Sequence, residues 1–221
     1  MSTQNKTLRM SLLMVIAALM LTGQAALALG FEKPEYTLVY KDGDIEYRQY
    51  ESYLVSESVV VEHNGEYKEA GFEGVNRLLS YIRGANQNAE KSSEKMSMTL
   101  PIEQTMAPEG WRVALMLPGK YTLETAPKPT DPQVRVRLVP GRLMAVLRYS
   151  GRWTEKNFSG KMSELRKAVE SKSLETVGEM QTALYNPPIT PPFMRRNEVM
   201  VEVNNLPEAA ADQLAIRQVA R

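Results

Sequence analysis

Apolar and polar residues alternate along two short segments of the chain, residues 45–50 and 134–139. A period of two places every second side chain on one face of a strand, so both segments are predicted to be half-buried strands. Six further segments have the composition or the alternation of strands, and several of them end at Gly or Asn-Gly turn signals. These segments are residues 53–61, 96–100, 111–117, 143–149, 179–185 and 197–203.

Two longer segments, residues 67–83 and 154–172, change to a spacing of three and four residues, which is typical of one face of a helix. In the first segment this face consists of Phe72, Val75, Leu78, Leu79 and Ile82. In the second it consists of Phe158, Met162, Leu165 and Val169. Gly71 and Gly74 interrupt the first helix at a cost of about 1 kcal/mol each relative to alanine. Glycine at such positions indicates that a strand or a ligand approaches the helix closely.

The predicted elements repeat along the chain. A shift of 89 residues lays Ile45 over Val134 and Leu54 over Leu143, and it lays the first helix over the second. We interpret this as an internal duplication of a strand–helix–strand–strand unit, with halves at about residues 36–117 and 134–203. Helices that are separated by antiparallel strand pairs predict an α+β fold. Residues 204–221 read as a polar, Ala-rich tail to which the sequence assigns no function.

Residues 1–28 have the features of a secretory signal peptide and are not expected to be part of the fold. Lys6 and Arg9 precede an apolar run at residues 10–21, and Ala26 and Ala28 form a small-x-small cleavage pattern. That run is shorter than the ~20 residues that span a bilayer. We therefore expect cleavage after Ala28, export to a bacterial periplasm, and no stable membrane insertion afterwards. An uncleaved N-terminal membrane anchor is the alternative.

The composition excludes several classes of function. After cleavage, 25 basic and 26 acidic side chains would remain, so the chain has no basic field for nucleic acid. Because it has no Cys, it forms neither disulfides nor thioether-linked haem. His63 is the only histidine, which rules out a multi-histidine metal site within one chain. No phosphate-binding glycine motif and no catalytic pair of carboxylates is recognisable, so we expect no catalytic residues and no metal ligands.

Residues 185–203 are the most informative segment for function. Four prolines stiffen it, and it runs through Arg195 and Arg196 into a strand. Its large apolar residues are Tyr185, Ile189, Phe193 and Met194. Apolar surface beside guanidinium groups suits a flat apolar ligand that carries carboxylates. The alternative is a structural loop that covers the end of a sheet while its arginines remain solvated.

Five segments together resemble the SOUL haem-binding family: residues 43–50, residues 70–72 with 81–86, residues 95–101, residues 121–132 and residues 185–203. The resemblance defines a domain at residues 29–203. It implies a pseudo-twofold α+β domain in which two similar halves build a distorted antiparallel β-barrel flanked by two long helices. Similar architecture occurs in the effector-binding domains of bacterial multidrug regulators.

The resemblance also implies non-covalent binding of haem or a related tetrapyrrole in an apolar cleft. In relatives the proposed site lies between the first long helix and the proline-rich loop before the last strand. Gln49 stands where some relatives have a proposed axial histidine, so the iron is not expected to gain a ligand there. The corresponding residues of this chain are Phe72, Val75, Leu78, Leu79, Ile82, Tyr185, Ile189 and Phe193, with Arg195 and Arg196 as cations for the propionates.

Three alternatives stay open at this point. The cleft could accept other amphipathic planar or cationic small molecules, in which case Glu46 and Glu198 would matter more than the arginines. The protein could be an enzyme that remodels a tetrapyrrole, although no acid–base or metal constellation is visible. It could also be a scaffold for protein interactions. The sequence predicts no oligomeric state.

Overall fold

The computed structural model of the protein describes residues 30–60, 67–107 and 110–210. The predicted signal peptide, His63 and most of the predicted tail lie outside the described residues. Within them, no helix is both long enough and apolar enough to cross a membrane. In chain order the elements are β1 (Tyr36–Asp42), β2 (Ile45–Tyr50), β3 (Tyr53–Val60), α1 (Tyr67–Ile82), β4 (Asn86–Gln87), β5 (Ile102–Ala107), β6 (Gly110–Met116), β7 (Lys128–Pro129), β8 (Val134–Val139), β9 (Arg142–Tyr149), α2 (Glu155–Ser171), β10 (Thr176–Leu184) and β11 (Asn197–Val203).

Nine strands form one antiparallel sheet in the order β1-β2-β9-β11-β10-β5-β6-β3-β8, while β4 and β7 pair separately. The predicted α+β class is therefore confirmed. The sheet is not closed into the barrel that the resemblance implied, because its edge strands β1 and β8 are not paired with each other in the described part of the chain. β1, which is not among the predicted strands, pairs with one edge of β2, and the other edge of β2 pairs with β9. No edge of β2 is left to close the sheet.

The two halves of the sheet correspond to each other. A shift of 89 residues carries the bounds of β2 onto those of β8 and the bounds of β3 onto those of β9. A helix follows β3 in one half and β9 in the other. Between β2 and β8 the order of the strands is also symmetric. Counted inward from the two ends of this stretch, β2 corresponds to β8, β9 to β3, β11 to β6 and β10 to β5. This arrangement agrees with the pattern seen in the sequence, while an internal duplication stays a prediction.

α1 packs mainly on β3 and β6, and its two glycines lie against side chains of β6 and β5. A Cβ atom placed on Gly74 would lie 2.5 Å from Val113 Cγ2, and one placed on Gly71 would lie 2.5 Å from Gln104 Nε2. The close approach predicted from these glycines is thus made by strands. It lets Leu78 reach the core between the helix and the sheet, where it is fully buried.

Both helices lie on one face of the sheet. Gln104, beneath α1, pairs with Thr182 on β10, and Met180 packs in the apolar cluster beneath α2. Because side chains alternate along a strand, Met180 and Thr182 point to the same face. The opposite face, which we call the helix-free face, carries two further apolar clusters, one around Val55 and one around Tyr185. It also carries several buried charged side chains.

Two local features differ from the sequence pattern. Residues 96–100 are not a strand, and the strand that follows them begins only at Ile102. The apolar spacing there belongs to a connecting segment that packs against the end of α1, where Met96 is buried and its N–H donates to Ile82 O at 2.8 Å. β1 was not predicted. Its residues are mostly exposed at a sheet edge, so their apolar contrast is weak.

Candidate ligand-binding surfaces

The wall predicted on α1 divides into buried and exposed residues. Leu78 and Ile82 are buried in the core beneath the helix, and Val75 and Leu79 pack partly against that core. Phe72 is 60% exposed. The apolar surface that α1 offers to a ligand is therefore Phe72 with the outer parts of Val75 and Leu79, which is smaller than the helix periodicity predicted.

The proline-rich loop, residues 185–196, displays apolar side chains to solvent. Ile189 is 89% exposed and Phe193 is 78% exposed. Met194, at the end of the short 3₁₀ turn Pro192–Met194, is also exposed. Three large apolar side chains that are this exposed within one short loop are typical of a contact surface.

Arg195 holds the loop in shape. Its Nε donates to Thr190 O at 2.8 Å and its Nη2 donates to Pro188 O at 2.7 Å. Its guanidinium lies 4.3 Å from the ring centre of Trp153, whose Nε1 donates to Asn197 Oδ1 at 2.8 Å. The side chain is thus directed to carbonyl groups of its own loop and to one aromatic ring. For Arg195 these contacts favour the structural alternative.

Glu198 is fully buried on the helix-free face and joins the groups around the base of the loop. Arg48 donates to both of its oxygens, through Nη1 at 3.0 Å and Nη2 at 3.1 Å. Arg196 donates to Oε1 through Nε at 3.0 Å and Nη2 at 2.7 Å, and the Tyr185 hydroxyl donates to Oε2 at 2.9 Å. Glu46 binds the same Arg48 at 2.7 Å. Each charge in this cluster therefore has an opposite charge beside it, as burial requires.

The protonation states of this cluster follow from its contacts. Burial alone would raise the pKa of Glu198, but the hydrogen bonds and charges of Arg48 and Arg196 together outweigh burial and lower that pKa below its usual value. Burial raises the pKa of Tyr185, and it raises the pKa of Tyr50 to about 12. Both hydroxyls therefore stay protonated at neutral pH, and Tyr185 keeps its role as a donor to the carboxylate.

A second acid on the helix-free face behaves differently. Glu103 accepts a hydrogen bond from the Tyr53 hydroxyl at 3.2 Å, and Arg142 reaches that same hydroxyl at 3.3 Å. Burial raises the pKa of Glu103, and the nearby charge of Arg142 offsets this only in part. The Nε of Arg142 is buried without a hydrogen-bond partner among the described residues. The polar groups at this corner of the sheet therefore have fewer hydrogen-bond partners than those of the cluster around Glu198.

A cleft of about 400 Å³ lies where the proline-rich loop begins and ends, and we call it the loop-base cleft. It is lined by Lys33, Pro34, Glu35, Tyr36, Tyr185 and Arg196. Two of its aromatic rings carry guanidinium groups: Arg196 lies 4.0 Å from the ring centre of Tyr185, and Arg48 lies 4.5 Å from that of Tyr36. The backbone N–H of Tyr185 donates to Arg196 O at 3.2 Å, which fixes the spacing between the two ends of the loop.

Of the predicted site residues, the structure brings Tyr185 and Arg196 together at the loop-base cleft and places Leu78 and Ile82 in the core. The lining of this cleft includes no residue of α1. Sequence reasoning missed Arg48, whose side chain is almost fully buried. A charge at an inward-facing position of β2, matched by the opposite charge of Glu198 on β11, was the signal available. In the described residues, no group of three or more His, Cys, Asp or Glu side chains is arranged to hold a metal ion.

Comparison with known proteins adds a family and a fold. Residues 31–202 match the family described as SOUL heme-binding protein. The protein called Heme-binding protein 1 from Xenopus laevis is 29% identical over 189 residues, which cover 80% of this chain and 94% of the relative. Its namesake from Xenopus tropicalis is 29% identical over 188 residues with the same coverage. The crystal structure of the EcmrR C-terminal domain shares the fold with a TM-score of 0.53 at 9% identity, and the match covers 77% of this chain and 99% of that one.

Proposed function

The chain belongs to the SOUL heme-binding protein family, and from this membership we propose that it binds haem or a related tetrapyrrole non-covalently. The proposed site is a cleft between α1 and the proline-rich loop before β11. The observation that carries this proposal is the exposure of Phe72 on the helix and of Ile189 and Phe193 on the loop. Exposed apolar groups of this size provide the contact that the face of a porphyrin ring requires.

The register of the sheet supports placing α1 and the loop side by side. Gln104 lies beneath Gly71 of α1 and pairs with Thr182 of β10. Two residues later, and on the same face, Leu184 pairs with Ile102, which packs against the core beneath α1. β10 ends at this residue and the chain continues into the loop. The loop therefore leaves the sheet from the strand next to β5, whose Gln104 lies against α1.

Apolar contact is the main source of affinity in this proposal. Burying a few hundred Å² of apolar surface contributes several kcal/mol at roughly 25 cal/mol per Å², before the costs of association are subtracted. The prolines and Arg195 hold the loop in one shape, so little further order has to be imposed on binding. Arg83 continues the helix stripe of Phe72 and Leu79 and has no ion pair among the described residues, so we assign it to a propionate.

Iron ligation is not part of the proposal. Gln49 is exposed on β2, and the described residues include no histidine. Hemin and metal-free protoporphyrin IX should therefore bind with dissociation constants within about tenfold of each other. Titration of each into the full chain, followed at the Soret band, measures this. A much stronger preference for hemin would contradict binding by apolar contact, and a changed spectrum of bound hemin in His63→Ala would identify the missing ligand.

The location of the site is tested with exposed residues, whose substitution leaves the core intact. Phe72→Ser and Phe193→Ser should each weaken the binding of both porphyrins by roughly tenfold, because each removes a large apolar contact. Leu138→Ser is the matched control, since Leu138 is a comparably exposed apolar residue on the edge strand β8. Porphyrin binding that survives both Phe substitutions unchanged would place the ligand elsewhere.

Binding of a cationic small molecule through Glu46 and Glu198 is less well supported. Both carboxylates are already bound to Arg48, so neither has a charge left for a cation. Family membership likewise supports a binding role over catalysis.

A further inference from the structure

We infer that the loop-base cleft is a second binding site, separate from the tetrapyrrole surface, and that it takes a small aromatic carboxylate. The cleft lies within the range of about 300–1,000 Å³ that small-molecule sites occupy, and near its lower end. That size favours a ligand of one or two rings. The surface proposed for the tetrapyrrole, in contrast, consists of Phe72 and the tip of the loop.

Flat surfaces in the cleft favour a planar ligand. The ring of Tyr185 is covered by the guanidinium of Arg196, which is itself planar and stacks well on aromatic groups. Tyr36 is 40% exposed, and it is held in place by the ring of Tyr50 at 5.1 Å and by Arg48. An aromatic ring in the cleft can therefore contact a tyrosine ring and a guanidinium plane that are both already fixed.

Two cationic groups in the cleft keep free donors for a carboxylate. Nε and Nη2 of Arg196 donate to Glu198, but its Nη1 has no hydrogen-bond partner among the described residues. The ammonium group of Lys33 has no ion pair in the same part of the chain, and the residue is exposed. Glu35 is the one acidic residue in the lining, against these two cations. Charge-assisted hydrogen bonds from two such donors orient a carboxylate at one end of a planar ligand.

The buried neighbours of the cleft do not oppose an anion. Because the Tyr50 and Tyr185 hydroxyls remain protonated at neutral pH, neither adds a negative charge beside the ligand. Glu198 shares its charge between Arg48 and Arg196. Among the residues that line the cleft, Lys33 and the outer edge of Arg196 are therefore opposed by Glu35 alone.

Calorimetric titration of the full chain with 2-naphthoate tests this inference. We expect saturable binding of one equivalent, with a dissociation constant below about 1 mM. The neutral isostere 2-naphthamide should bind at least about tenfold more weakly, because it cannot accept charge-assisted hydrogen bonds. The absence of saturable 2-naphthoate binding, or equal binding of the amide, would overturn the assignment.

Variants of Lys33 show whether 2-naphthoate binds in the loop-base cleft or only responds to the overall charge of the chain. Lys33→Met should weaken 2-naphthoate binding about five- to tenfold, and Lys33→Arg should restore most of it. Lys167→Met, which removes an exposed lysine of α2, is the matched control and should leave binding unchanged. Equal binding by Lys33→Met and the unaltered chain would refute the role of this cleft.

The tetrapyrrole proposal and this one fail independently. If the cleft is a separate site, saturating hemin leaves the stoichiometry and affinity of 2-naphthoate unchanged. Displacement of 2-naphthoate by one equivalent of hemin would show a single shared site and overturn the inference. If hemin does not bind at all, the tetrapyrrole proposal fails, while the titrations with 2-naphthoate and its amide still decide the loop-base cleft.

Discussion

Replacing Glu198 with Gln tests how much the buried carboxylate of the helix-free face contributes to stability. The substitution keeps the shape of the side chain and removes its charge. In the structure five hydrogen bonds converge on this carboxylate, from Arg48, Arg196 and Tyr185, and the residue is fully buried. Gln offers one acceptor oxygen, and its NH₂ group would face donors instead of acceptors. Arg48 would then lose the fully buried one of its two carboxylate partners and keep the partly exposed Glu46.

The expected loss of stability follows from that geometry. Removing one partner of a buried ion pair typically costs about 3–5 kcal/mol, because the other charge is left uncompensated. Glu46 still binds Arg48 at 2.7 Å in Glu198→Gln, and this second carboxylate offsets part of the loss. We therefore expect the free energy of unfolding to fall by about 3 kcal/mol at pH 7. For a domain with a total stability of roughly 5–15 kcal/mol, that is a large fraction.

The pH dependence gives a second, independent check. The pKa of Glu198 is lowered in the folded protein, so its ionised form contributes stability that is fully present above the unfolded-state pKa near 4.5. That contribution is lost as the pH falls through the lower folded-state pKa. The difference between the unaltered chain and Glu198→Gln should thus be largest near neutrality and should shrink below about pH 4.5.

Urea-induced unfolding at pH 7 and at pH 4 measures both effects. Glu202→Gln is the matched control, because Glu202 lies on the same strand, is only partly buried and contacts Arg142 at 3.8 Å. It should change stability by less than about 1 kcal/mol. A loss below 1 kcal/mol for Glu198→Gln, or a difference that grows on acidification, would refute the argument that this carboxylate is held ionised by its arginines.

Three smaller predictions use stability as the readout. Burial raises the pKa of Glu103, so the contribution of this group to stability is present below its unfolded-state pKa near 4.5 and is lost as the pH rises through the higher folded-state pKa. Glu103→Gln lacks this loss, so its melting temperature relative to the unaltered chain should increase between pH 5 and pH 8. Gly74→Ala should lower the free energy of unfolding, measured in urea, by about 1–3 kcal/mol, because the added Cβ would clash with Val113. Gly160→Ala is the opposite case: its Cβ would have no atom within 4 Å, so the better helix propensity of alanine should raise the free energy of unfolding by about 0.5–1 kcal/mol. Thr154→Ala should cost about 1 kcal/mol by removing the N-cap of α2, and an unchanged midpoint would count against that cap.

Periodicity predicted the elements whose burial is one-sided. The bounds of β2 and β8 agree with the alternation of apolar and polar residues in the sequence. The bounds of β11 agree as well, although both faces of that strand are buried. α2 begins directly after Thr154, where an N-cap and an apolar helix stripe coincide. β1 was missed, and residues 96–100 were wrongly predicted to be a strand, for the same physical reason: apolar spacing reports which side chains are buried, and not which backbone groups pair in a sheet. An exposed edge strand lacks the pattern, whereas a packed connecting segment that includes Met96 imitates it.

The candidate site was only partly predictable. The stripe on α1 is real, but sequence spacing cannot show which side of it faces the sheet. That depends on the close approach at Gly71 and Gly74. Likewise, Arg195 and Arg196 were recognised as important cations, while their partners are set by tertiary contacts. Arg195 binds carbonyl groups of its own loop and Arg196 binds Glu198, so neither guanidinium is fully available to a ligand.

The contacts at the base of the loop explain why its tip can stay exposed. A flexible segment that carried Ile189 and Phe193 would gain free energy by folding these side chains onto nearby apolar surface. Here the prolines restrict the backbone, Arg195 ties two carbonyl groups together, and Arg196 anchors the end of the loop to a buried carboxylate. The buried polar cluster at the base of the loop therefore helps to keep the apolar side chains of the tip exposed. If porphyrin binds at the tip as proposed, Glu198→Gln should weaken that binding in a Soret titration, although Glu198 lies at the base of the loop and not at its tip.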